Sequence, residues 1–65
     1  MYKTILDRAV SEAIYKYKQT GNDYAVIAGE GVSKRSPYYP YMVSEYKVAQ
    51  KVFPLAIVIY VTDEG

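Results

Sequence analysis

Leu55-Ala56-Ile57-Val58-Ile59-Tyr60-Val61-Thr62 decides the fold: it carries no charge and five of its eight side chains are β-branched, the composition of a β-strand. It does not alternate apolar with polar residues, which predicts a central strand covered on both faces rather than one with a wet face. Two helices would cover one of those faces. A flat aliphatic strand left open is an aggregation hazard. The sequence therefore predicts that Leu55, Ile57, Ile59 and Val61 carry self-association, in a homo-oligomer or with an obligate partner.

Working back from this strand, Pro54 closes a segment in which Met42, Val43, Tyr46, Ala49, Val52 and Phe53 recur at helical spacing, so a second helix is expected from Met42 to Phe53. Before it, Pro37-Tyr38-Tyr39-Pro40-Tyr41 holds two prolines three apart, which fix two φ angles and remove two donors, and no regular structure is expected there. Gly29-Glu30-Gly31 ends a short apolar run, Tyr24 to Ala28, that reads as a strand. Val32 to Arg35 reads equally as a short returning strand or as loop.

At the other end, Ile5, Leu6, Ala9, Val10, Ala13, Ile14 and Tyr17 form one apolar stripe of an amphipathic helix. Thr4 is placed as its N-cap and Gly21 as its C-terminal glycine. Arg8, Glu12 and Lys16 stand at four-residue spacing on the wet face, where such charges pair weakly and are otherwise solvated. The expectation is a small two-layer α/β or α+β domain spanning residues 1–65. Its order is α-β-α-β, with a parallel right-handed crossover between the strands, or α-β-β-α-β if Val32 to Arg35 pairs back through a glycine turn.

Sixty-five residues support one core, and a core of that size supplies little net stability without help. Neither cysteine nor histidine occurs, so disulfides, a thiol nucleophile and an imidazole base are excluded, and a zinc site would lack its usual thiolate and imidazole ligands. Self-association or a partner is the reinforcement that remains. Eight basic and seven acidic side chains leave a net charge of +1, which argues against a general nucleic-acid coat. The charged start at Lys3, Asp7 and Arg8 is unlike a secretory signal, and the longest apolar run is far short of the roughly 20 residues of a membrane span. A cytoplasmic location without membrane contact is expected.

No two carboxylates are spaced so as to argue an acid–base pair or a metal cluster, so the chain is read as non-catalytic, with no cofactor and no metal. The sharper signal is Gly29 to Tyr41. Gly29 and Gly31 follow a strand, and Ser33, Lys34 and Arg35 add hydroxyl and cationic donors that suit a phosphate. The bland alternative is a glycine turn with solvated charges. Tyr38, Tyr39 and Tyr41 follow on a proline-stiffened backbone, a good contact surface for a peptide or a base. Nine tyrosines against one phenylalanine and no tryptophan favour half-wet packing and interfaces. Tyr2, Tyr15, Tyr24, Tyr46 and Tyr60 read as packing or rim residues.

The leading functional expectation is a small interaction or regulatory protein that self-associates and binds a larger protein through the tyrosine-rich loop. The alternative is an oligomeric binder of a nucleotide or other phosphorylated small molecule on the same segment. Weak RNA or single-stranded DNA binding comes third.

Overall fold

The computed structural model describes residues 4–64, and the packing or rim role expected for Tyr2 lies outside them. The first helix, α1, runs Ile5–Thr20 as its stripe demands. The Thr4 Oγ1 accepts a hydrogen bond from the Asp7 N–H at 3.1 Å, satisfying a donor that the first turn leaves unpaired. At the other end Gly21 has φ 79° and its N–H donates to the Tyr17 carbonyl at 2.8 Å. That left-handed turn is what a glycine stop provides. The stripe is centred on Ala9 and Ala13, both fully buried, while Ile5 and Tyr17 sit at its exposed margins.

The strand β1, Tyr24–Gly29, follows the turn. The next strand, β2, is Tyr41–Glu45, and α2 is only Tyr46–Val52; β3 is Ala56–Val61. The order is thus α-β-β-α-β, but Val32 to Arg35 is loop, and the returning strand comes from residues expected at the start of the second helix. The reason is that two periodicities coincide here. Met42, Tyr46, Ala49 and Phe53 do share one apolar cluster, as helical spacing requires. Met42 reaches it from a strand, because residues 41–45 find backbone partners along β1, from Ala28↔Tyr41 to Tyr24↔Glu45. Local periodicity over so few residues does not separate the two.

Two further expectations are corrected. The sheet order is β2-β1-β3 and both pairings are antiparallel, so there is no parallel crossover, and the central strand is β1 rather than β3. Only β1 has buried residues in an unbroken run, Ala25-Val26-Ile27. The helices also lie on opposite faces. Ala9, Ala13 and Val26 form one cluster, joined by Tyr24, Tyr38, Tyr41, Val43 and Tyr60. Ala25, Ile27 and Ala49 form the other, joined by Val32, Met42, Tyr46, Phe53 and Val61. Alternate residues of β1 therefore serve opposite layers. The tyrosines on the first face lay large rings beside two alanines, which allows close approach of helix and sheet while the ring edges stay partly wet.

The β1–β3 register carries one irregularity. Val58 is opposite Ile27, but Tyr60 is opposite Val26, so Ile59 is the extra residue of a β-bulge. Ala56 and Val58 share the α2 face, lining one hollow with Ala49 and Phe53, and beyond the bulge that face passes to Val61, leaving Tyr60 to pack towards α1. Thr62 follows, buried, with its hydroxyl accepting from the Tyr24 N–H at 2.9 Å. A 3-10 turn over Thr62–Glu64 ends the described chain.

Candidate functional site

The loop between β1 and β2, residues 30–40, is folded on itself by serines and tyrosine backbone groups. Ser36 is the hub. Its hydroxyl donates to the Tyr41 carbonyl at 2.8 Å and accepts from the Tyr38 N–H at 3.2 Å. Its N–H donates to the Ser33 carbonyl at 3.0 Å, while its carbonyl accepts from the Tyr39 N–H at 3.1 Å. The Ser33 hydroxyl accepts from the Arg35 N–H at 3.1 Å. Both serines thus serve the loop's own backbone, in the local pattern such side chains favour in turns. The Tyr39-Pro40 peptide is cis.

This bracing divides the residues singled out in the sequence. Gly29 ends β1 with φ 88°. Gly31, φ 91°, lies against the Phe53 ring, where a Cβ would overlap the ring carbons, and it borders a shallow hollow with Val52, Phe53, Pro54 and Leu55. Its glycine character answers to packing. Lys34 is exposed and lines no groove with the glycines, and Tyr39 is exposed. Tyr41 packs against the α1 cluster at the start of β2. Gly31 and Arg35 therefore line different hollows.

Ser33, Arg35 and Tyr38 come together instead with α1. Two adjoining grooves, of about 350 and about 440 Å³, share Glu12 and Tyr38. The first is completed by Arg8, Ser11 and Tyr15, the second by Lys16, Arg35 and Pro37 among others. Tyr38 forms part of the wall and also touches the core. Glu12 and Lys16 pair at 3.8 Å. The expected pairing of Arg8 with Glu12 is not among the ion pairs of the described residues. Arg8, Tyr15 and Lys16 were read from sequence as wet face or rim. Their spacing on α1 puts them on one side of the helix, but nothing local announces that a loop some twenty residues later folds over them.

A second surface is the outer edge of β3. No strand pairs with it among the described residues. Leu55 is 75% exposed and Ile57 63%, and Val58 and Ile59 are exposed beside them, with Val52 near the end of α2. Of the four residues expected to carry self-association, Leu55, Ile57 and Ile59 lie on this open surface. Val61 does not: the bulge turns it inward against Ala25 and Ile27. Val58, though 46% exposed, is on the α2 side, where it lines a hollow with Ile27, Ala49 and Phe53.

No helix among the described residues is long and apolar enough to cross a membrane, and no group of acidic side chains among them is gathered as a metal site. No family model, curated protein or solved structure matches the chain.

Proposed function

We propose that the protein is a non-catalytic interaction module that self-associates through the edge of β3 and meets a larger protein with its tyrosine- and proline-bearing loop. Such a module is suited to the cytoplasm. The observation that carries the reading is the open edge of β3: an aliphatic strand without one charged side chain, with Ile57, Val58 and Ile59 exposed. Monomeric proteins blunt such edges with lysine, proline within the strand or a covering loop. Among the described residues the bulge alone interrupts the edge.

A second copy is the occupant that suits it. Antiparallel pairing of two β3 strands about a two-fold axis brings no like charges together and joins two three-stranded sheets into one of six strands. The grooves beside β2 lie at the far side of the sheet from β3, so assembly leaves them open. Light scattering on the intact chain is expected to give a dimer or larger species at micromolar concentration. Ile57→Lys or Ile59→Lys is expected to return it to a monomer with its circular dichroism unchanged, since both side chains are exposed. A wild-type chain that stays monomeric to high concentration contradicts the reading.

A further inference from the structure

We infer that the groove between α1 and the loop at residues 33–38 takes an extended segment of a partner protein that carries anionic side chains. The inference rests on reading the loop as a partner-binding surface and supplies the chemistry of that partner.

Charge comes first. Three of the chain's eight cations, Arg8, Lys16 and Arg35, line the two adjoining grooves, against the single acid Glu12. Glu12 is engaged by Lys16 at 3.8 Å, which leaves the Arg8 and Arg35 guanidinium groups without an ion-pair partner among the described residues. Guanidinium is the side chain best fitted to grip carboxylate or phosphate through paired N–H donors.

Shape and spacing come next. Arg8 and Lys16 are eight residues apart on α1, about 12 Å at about 1.5 Å per residue. That is the length of about four residues of extended chain. Glu12 stands between them and is common to both grooves. A continuous run of phosphates would set an anion against its carboxylate. A peptide can space its acidic side chains and present a backbone N–H there.

Exposure separates a macromolecular ligand from a small one. Tyr15 is 58% exposed and Arg8 and Arg35 are exposed, whereas small-molecule pockets enclose most of their ligand. Open tyrosine and arginine side chains around a partly buried ring are the usual anchors of protein interfaces. The Ser36 bracing holds the loop in shape before a ligand arrives, which lowers the ordering cost of binding.

The test is fluorescence anisotropy on the intact chain with labelled peptides of about eight residues, long enough to cross both grooves at about 3.3 Å per residue. They share a glycine–serine background with a central leucine and carry paired glutamates, paired phosphoserines, paired lysines or no charge. The anionic peptides are expected to bind and the neutral and lysine peptides not to, with affinity falling as salt rises. The glutamate and phosphoserine arms tell which anion is preferred. Arg8→Ala and Arg35→Ala should each weaken binding about tenfold, Arg35→Glu should shift preference to the lysine peptide, and Ile57→Lys should leave peptide affinity unchanged. Tighter binding of the neutral or lysine peptide overturns the charge assignment and leaves the loop reading standing. Binding by none of them overturns both. A single-stranded oligonucleotide that binds more tightly than either anionic peptide, and is lost in the same arginine variants, overturns it in favour of nucleic acid.

Discussion

Thr62 and Gly31 are the residues whose roles are most sharply set by their surroundings. The Thr62 hydroxyl, nearly sealed from solvent, accepts from the Tyr24 N–H at 2.9 Å and donates to the Asp23 carboxylate at 3.5 Å. It ties the end of β3 to the start of β1. Thr62→Val keeps the shape and removes the acceptor, and is expected to cost about 1–3 kcal/mol, the penalty of a buried unpaired donor. Thr62→Ser retains the acceptor and should cost less. Gly31 combines φ 91° with the Phe53 ring in the place of a Cβ. Gly31→Ala is therefore expected to cost about 1–3 kcal/mol through both backbone and overlap. Gly29 has similar φ but open space around a Cβ, so Gly29→Ala should cost about 1–2 kcal/mol from the backbone alone. Urea unfolding midpoints of the variants check both comparisons. In the sequence Gly29 and Gly31 were indistinguishable, and both could be imagined against a phosphate. Phe53, which separates them, is twenty-two residues beyond Gly31 and reaches it only in three dimensions.

Among the elements, α1 was legible from its sequence because cap, stripe and glycine stop all agree. Thr4, Ala9 with Ala13, and Gly21 each do what their position predicts. The strands at Tyr24–Gly29 and Ala56–Val61 were also legible from composition. The β2 strand was not, because Tyr41 to Glu45 has no strong preference of its own and is extended by pairing with β1. The character of β3 was misread for a related reason. An apolar run on both faces suits a central strand, but it also suits an edge strand that lends side chains to both layers, Ala56 and Val61 towards α2 and Tyr60 towards α1. Amide hydrogen exchange measures this ranking. The amides of β1, paired on both sides, should exchange slowest in the chain. The amides of β3 that point away from β1 should exchange quickly in dilute solution and slow as concentration rises. In Ile57→Lys that dependence on concentration should vanish, and outward β3 amides equally exposed at all wild-type concentrations would contradict the edge pairing.

For the whole molecule, the limiting quantity is the core. Buried apolar side chains among the described residues are four alanines, Val26 and Ile27, so much of the packing falls to half-buried tyrosines and little stability is in reserve. Binding to a second copy adds stability by mass action, about 2.7 kcal/mol at a hundredfold excess over Kd. Each kcal/mol raises Tm by about 4–8 °C in a domain this small. The melting temperature should thus climb as concentration is raised about a hundredfold, and stay flat in Ile57→Lys. Sequence by itself determined α1 and its two ends, the strand character of residues 24–28 and 56–61, and the absence of imidazole and thiol chemistry, because these follow from composition and from interactions within a few residues. The tertiary structure alone decided that β1 is central, that residues 41–45 are a strand, that the helices take opposite faces, and that Lys16 shares a groove with Arg35 beside the one that Arg8 lines. Those features depend on hydrogen bonds and packing between segments far apart in the chain, and no local pattern of side chains encodes which distant backbone or ring will be there to complete them.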